Sequence, residues 1–292
     1  MKKISILLLG LLIVLTVQGQ KNTVTKTDKL KSITVWGAET KKGKTISYKE
    51  SYEEYNSSGN VVRKMEYTKK GIIKHKETAT YDASGNKTEE TVYDIKDNDN
   101  YKRTFQYNAG VKASGLEYDS SGTVVKKITY TCDLNGNVTS EIYTDAAGNL
   151  LTTITRAFNK YGKEISVVET SKDGTIMFQQ IVTYGANGKK AIETILDLKE
   201  KTDYKITYKY DAFKDKTEED NFNNITGTLI SKTAYTYNAD GEKTSEIFTD
   251  ATGAVTKKVV YTYNSSKLRE TKQTFSSIGS VISTKKYFYE YF

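Results

Sequence analysis

Apolar and polar residues alternate along most of this chain with a period of two. Counting backward by twos from Tyr263 gives Tyr261, Val259, Lys257 and Val255, while the intervening positions are Thr262, Val260 and Lys258. The same register appears in Tyr210, Tyr208, Ile206 and Tyr204 against Lys209, Thr207 and Lys205, and again in Cys132, Tyr130, Ile128 and Lys126. Successive strand side chains point to opposite faces, so one face is aromatic and branched and the other carries Thr and Lys. That is the pattern of a half-buried sheet. The segments are rich in Thr, Val, Ile and Tyr and lack helical periodicity and caps, which predicts strands.

The pattern is itself repeated. Tyr55, Tyr81, Tyr107, Cys132, Phe158, Tyr184, Tyr210, Tyr237, Tyr263 and Tyr289 mark equivalent positions, at intervals of 26, 26, 25, 26, 26, 26, 27, 26 and 26 residues. Asn or Asp follows most of these anchors, and Gly59, Gly85, Gly136, Gly162, Gly188 and Gly241 come four residues after theirs. A second glycine punctuates the middle of most repeats, as at Gly71, Gly122, Gly148 and Gly174. An Asx acceptor at the first corner and a glycine tolerant of positive φ at the last are turn chemistry. A turn about every 13 residues predicts two antiparallel strands per repeat and about nine repeats in an all-β meander. The anchors are expected in a row on the buried face. The 25- and 27-residue intervals must be absorbed in turns or bulges.

The charges repeat as well. Lys76, Lys102, Lys127, Lys205, Lys232 and Lys258 stand five residues before an anchor, and Glu90, Glu141, Glu193, Glu219 and Glu246 nine residues after one. Reflection through the mid-repeat turn predicts that Glu246 faces Lys258, Glu193 faces Lys205 and Glu219 faces Lys232, all on the polar face. Such pairs would fix register more than stability.

The Tyr-Asx-x-x-Gly punctuation, clearest in YDASGNKTEETVYD and YNADGEKTSEIFTD, resembles the YD repeats of the RHS (rearrangement hot spot) family over roughly residues 50 to 292. The resemblance implies an antiparallel meander of about nine 26-residue hairpins coiled into a spiral or shell-like sheet. The chain departs from that family in being shorter, without a plug segment, and in carrying the repeat to its last residue, so no toxin effector is expected. A MORN-type hairpin repeat is a second resemblance. Its Gly-rich, Trp-bearing pattern fits worse, because Trp36 is the only Trp.

Composition narrows the chemistry. The 292 residues include no Pro, one His and one Cys, with 37% hydrophobic and 27% charged residues. Collagen-like and disulfide-stapled folds are excluded, and His-dependent catalysis has a single candidate, His75. His75 occupies a repeat position held elsewhere by Tyr101, Lys126, Phe178 and Tyr204. It reads as a repeat residue without metal or acid–base partners. Cys132 reads as a packed anchor. Asp94, Asp97 and Asp99 cluster in a lengthened turn but lack the EF-hand pattern, so a solvated turn is preferred over a calcium site. No catalytic residue, metal or cofactor is expected.

Lys2 and Lys3 precede an apolar run from Ile4 to Val17, too short to span a bilayer. Residues 1–19 therefore read as a signal peptide, residues 20–45 as the start of the sheet and residues 46–292 as the repeat array. The expected location is the periplasm or the cell surface. The formal charge of +8 is mild for this length and calls for no nucleic-acid partner. The aromatic ending Tyr287–Phe292 looks like the terminal strand of an outer-membrane barrel, but Lys126, Lys243 and Lys257 interrupt the apolar series and a membrane span is not expected. The leading expectation is a non-catalytic secreted or cell-envelope protein that binds or scaffolds glycan or an envelope protein. The alternative is an accessory shell of an RHS-type polymorphic toxin system. A hydrolase with paired carboxylates is a weaker reading, since no such pair stands outside the repeat.

Overall fold

The computed structural model describes residues 29–41, 44–95 and 99–292. The proposed signal peptide lies outside them. Twenty strands follow one another. They are β1 (Leu30–Lys41), β2 (Lys44–Tyr55), β3 (Val61–Tyr67), β4 (Ile73–Tyr81), β5 (Lys87–Asp94), β6 (Asp99–Asn108), β7 (Val111–Tyr118), β8 (Val124–Cys132), β9 (Val138–Asp145) and β10 (Leu150–Phe158). The second half comprises β11 (Glu164–Ser171), β12 (Ile176–Tyr184), β13 (Lys190–Asp197), β14 (Thr202–Tyr210), β15 (Lys216–Asn223), β16 (Leu229–Tyr237), β17 (Lys243–Asp250), β18 (Val255–Tyr263), β19 (Arg269–Ser276) and β20 (Val281–Tyr291).

The turns form for the reason the sequence suggested. Asp82 N–H donates to the Asn86 carbonyl at 2.9 Å, and Gly85 N–H to the Asp82 carbonyl at 3.0 Å. The Asp82 carboxylate accepts the backbone N–H groups of Ser84 and Asn86, each at 2.9 Å. Gly85 has φ 83°, a conformation that costs a glycine little. One residue beside the turn, Thr88, is left unpaired, because Thr80 pairs with Glu89 and Tyr81 with Lys87. This bulge recurs at most hairpins. The 25-residue interval is absorbed by a two-residue turn at Ala109 (φ 50°) and Gly110 (φ 78°), the left-handed pair that a tight hairpin requires. The 27-residue interval is absorbed in a longer turn, where Asn223 N–H reaches the Thr228 carbonyl.

The sheet closes, and here the expected open spiral is corrected. β1 pairs antiparallel with both β2 and β20, so the staves form a complete 20-stranded barrel. The register explains why. A path through paired residues falls two positions relative to the anchor at each hairpin. Ala79, two before Tyr81, pairs with Glu90, which pairs with Arg103, four before Tyr107. Tyr130–Glu141–Ile154 and Tyr235–Glu246–Val259 repeat this drift. The seam obeys it too, through Tyr287–Val35–Ser51. Ten such hairpins accumulate a shear of about 20 residues, equal to the strand number. With about 3.3 Å per residue and about 4.8 Å between strands, this gives a tilt near ~35° and a backbone radius of about 18 Å. Residues 20–45, expected as the start of the sheet, contain β1, the stave that meets β20.

Candidate functional site

Most buried side chains lie on the anchor face, among them Ile128, Ile154, Val182 and Val259. A closed sheet crowds side chains on its concave side, so the anchor face lines the lumen. Phe105, Ile128, Tyr130, Tyr143, Ile154 and Val167 form a continuous apolar patch along β6 to β11. Elsewhere the wall is a lattice of Tyr, Lys and Glu.

The anchor side chains are held alike. In six of them the hydroxyl reaches back across the sheet to the residue paired with the preceding anchor. Tyr81 donates to the Val61 carbonyl, Tyr107 to Lys87 and Tyr184 to Glu164, each at 2.9 Å. Tyr237 to Lys216, Tyr263 to Lys243 and Tyr289 to Arg269 follow at 2.7–2.8 Å. Cys132 stands in the same slot, with its Sγ 3.6 Å from the Lys112 carbonyl. Phe158 holds the slot with no hydroxyl, Tyr210 is half-buried in the same row, and Tyr55 donates instead to Glu53. The anchors are thus joined through backbone carbonyls of successive hairpins.

The glutamate row is a second correction. Glu246 pairs with Tyr235 and Val259, Glu193 with Val182 and Ile206, and Glu219 with Tyr208 and Thr233. Lys258 instead faces Ile247, Lys205 faces Thr194 and Lys232 faces Asp220. The bulge beside most mid-repeat turns, such as the unpaired Thr256, or the longer unbulged turn between β13 and β14, moves the register by one and turns the glutamates onto the anchor face. There four of the five meet a lysine three residues earlier, Lys87–Glu90 at 3.0 Å, Lys190–Glu193 at 3.1 Å, Lys216–Glu219 at 2.7 Å, and Lys243–Glu246, while Glu141 meets Arg156. Tyr208 donates to Glu193 and Tyr235 to Glu219. Burial, reinforced by these carboxylates, pushes both phenols well above their ordinary range. The signal for this belt was in the sequence as Lys-x-x-Glu after the anchor turns (KTEE, KAIE, KTEE, KTSE).

After the Ala109-Gly110 turn the motif keeps its lysine and loses its glutamate. Lys112 is followed at the glutamate position by Gly115, where an added Cβ would stand 3.1 Å from the Thr104 carbonyl oxygen. The Lys112 amine lies 3.9 Å from the Phe105 ring centre and 4.2 Å from that of Tyr130. Burial lowers its pKa to about 8.

His75 has partners that sequence reasoning denied it. Its Nδ1 is 2.7 Å from Asp94 Oδ2 and its Nε2 2.9 Å from Glu77 Oε1. The bond to Glu77, with a second to Asp94, outweighs burial and raises its pKa to about 9. Both ring nitrogens can donate only in the imidazolium, so the group is a structural cation at neutral pH. Asp94 is therefore part of an ion pair, while Asp97 lies outside the described residues. Among the described residues no cluster of three or more His, Cys, Asp or Glu side chains is arranged to hold a metal. A buried triad sits further along the wall: Glu117 accepts from Arg103 and Lys126 at 2.7 Å each.

No protein-family model and no curated protein matches the sequence. Among solved structures, the chain is similar to a porin-like protein from Bacteroides uniformis, at 14% identity and TM-score 0.39, covering 89% of this chain and 98% of that one. A porin-like protein from Bacteroides vulgatus follows at 12% identity and TM-score 0.30, covering 90% and 99%. TcdB2-TccC3 is similar at 11% identity and TM-score 0.32, over 79% of this chain and only 17% of that one. Likenesses this distant assign no function.

Proposed function

We propose that the chain is a non-catalytic binding or scaffold barrel, exported to the periplasm or cell surface, whose lumen wall receives glycan or a segment of an envelope protein. The observation that carries this reading is the closed wall itself. At a radius of about 18 Å its side chains reach only part-way to the axis. The polar contacts and rings described on the anchor face join strands at most a few staves apart, which leaves a lined bore. Its tyrosine faces are fixed in position by bonds to backbone carbonyls, so they offer stacking surface at little further ordering cost. The ionisable groups of the wall are engaged with one another, as in Glu117 with Arg103 and His75 with Asp94 and Glu77. That supports binding over acid–base work.

Charge argues for water on both sides of the sheet. A lipid-facing band needs apolar residues at alternate positions of every strand, and a lysine at mid-depth costs about 2–4 kcal/mol. The outer face carries Lys102, Lys127, Lys205 and Lys258 in mid-strand, and the inner face carries Arg103, Glu117 and Glu193. Neither face fits lipid. The Tyr-Asx-x-x-Gly turns favour a second reading, an accessory shell of an RHS-type toxin system. A glycan array and a pull-down from native envelope with residues 20–292 test both. Saturable glycan binding supports the first reading and retention of a toxin-like chain the second. Turnover of a bound saccharide would overturn the non-catalytic assignment.

A further inference from the structure

The lysine–glutamate belt reverses its charge at β19. In β19 the repeat reads Arg269-Glu270-Thr271-Lys272, so a cation occupies the position that holds Glu90, Glu141, Glu193, Glu219 and Glu246 elsewhere. Glu270 offers no compensation, since it is the bulged residue and accepts from Thr262 at 3.4 Å on the outer face. Lys272 pairs directly with Tyr261 on one side and with Lys285 of β20 on the other. Like charges directly opposite each other in a sheet are destabilising. Arg269 lies 4.5 Å from the Tyr261 ring centre and 5.7 Å from that of Tyr287, and its Nε is buried without an acceptor. Lys272 lies 5.9 Å and Lys243 5.2 Å from the same Tyr261 ring.

Two carboxylates stand near this group, and each already has a lysine. Glu246 is bound by Lys243 and Glu50 by Lys285. The three cations at the Tyr261 ring, with Lys285 paired to Lys272, therefore meet two carboxylates. Burial, with the charges of Lys285, Arg269 and Lys243, lowers the Lys272 pKa. Five copies of the motif place an anion at this position, and where β3 places Lys64 instead, that lysine pairs with Glu53 and Glu77, so the charge missing from β19 has a defined place on the wall.

We infer that Arg269, Lys272 and Lys285, seated on the buried ring of Tyr261, form an anion subsite on the lumen wall for an acidic sugar: a saccharide bearing a sulfate, phosphate or uronate group. The guanidinium and the two amines take the oxyanion, while Tyr261, only 6% exposed, supports Arg269 and Lys272 from beneath. The inference rests on the glycan reading of the proposed function, and its test separates the two.

Residues 20–292 are titrated calorimetrically with a sulfated tetrasaccharide, its desulfated parent and sodium sulfate, and the melting temperature is followed with each. The sulfated sugar is expected to bind at least tenfold more tightly than the parent. Lys272→Glu restores the charge order of the other repeats and gives Arg269 a carboxylate, so it is expected to fold at least as well and to lose tenfold or more in affinity. Lys258→Glu, an equal change of charge on the outer face, is expected to bind as the parent protein does. Equal losses in both variants would reduce the effect to net charge and overturn the subsite. Equal binding of sulfated and desulfated sugars would leave the glycan reading standing and remove the subsite. Stabilisation by sulfate that Lys272→Glu abolishes, without binding of either sugar, would support the subsite and remove the glycan reading. No response to any of the three would overturn both.

Discussion

Tyr184 shows what one anchor contributes. Its hydroxyl donates to the Glu164 carbonyl at 2.9 Å, and its ring is half-buried beneath Lys163, whose amine lies 5.0 Å from the ring centre. Tyr184→Phe removes the hydrogen bond alone and is expected to cost about 1 kcal/mol. Tyr184→Ala also removes the ring and should cost about 2–4 kcal/mol in urea melts. Lys258→Ala, exposed on the other face, should cost less than about 1 kcal/mol. Equal losses at Tyr184 and Lys258 would mean the faces are reversed. His75 gives a second residue-scale test, because it is the single histidine of the chain. Its ring resonances should titrate with a midpoint of about 9, raised by Glu77 and Asp94. A raised pKa stabilises the fold fully below about pH 6.5, the ordinary value, and that stability is lost as pH rises through 9. The loss should be about 1–2 kcal/mol after solvent screening, and it should vanish in His75→Asn. A midpoint near 6.5 would show that the two ion pairs do not form in solution.

Within the strands, the decisive unit is the hairpin with its bulge. The period of two, the ten anchors and the glycine-marked turns were all legible, because each reflects local chemistry written into one stretch of chain. The glutamate row was misplaced because the unpaired residue beside most mid-repeat turns, such as Thr256, leaves no mark in the sequence. A reflection through the turn that omits it assigns Glu246 to Lys258 and to the wrong face. The Lys-x-x-Glu spacing was the available corrective, since residues three apart on one strand share a face only where a bulged residue lies between them, as Thr244 does between Lys243 and Glu246 and Ala191 between Lys190 and Glu193. His75 was misjudged for a related reason: Asp94 stands 19 residues away and only the β4–β5 register brings it near. The corrected placement predicts an asymmetry between two glutamates. Glu193 is 5% exposed and is held by Gln180, Lys190 and Tyr208. Glu193→Ala leaves the buried Gln180 and the half-buried Tyr208 without this acceptor and is expected to cost about 3–5 kcal/mol. Glu218, on the outer face with Lys209 and Lys232, should cost less than about 1 kcal/mol when changed to Ala. Equal losses in thermal or urea melts would return the glutamate row to the outer face.

For the molecule as a whole, the question is why a hairpin array closes instead of winding on. A one-dimensional repeat predicts neighbours but says nothing about its own curvature, which is set by how register drifts from stave to stave. Here the drift is two residues per hairpin, and it stays constant across the short turn at Ala109-Gly110 and the long one at Asn223–Thr228. After ten hairpins the last strand therefore arrives beside the first at a register that pairs, and β1 joins β20 through Ile33–Tyr289, Thr34–Phe288 and Val35–Tyr287. Closure also removes the two exposed edges that an open sheet of this length would present to other chains. The seam is held by more than backbone, since Ser32 donates to Glu290 at 2.8 Å across 258 residues of sequence. Paired strand residues have Cα atoms about 4.5–5.5 Å apart, within the span of a disulfide. In a Cys132→Ser background, Thr34→Cys together with Phe288→Cys should therefore oxidise within one chain. The product should run as a compact monomer on a non-reducing gel and unfold at higher urea than its reduced form. A spiral would hold these residues at opposite ends of the array. Free thiols, or only cross-linked dimers, would mean that the wall is open and that the lumen and its anion subsite do not exist as described.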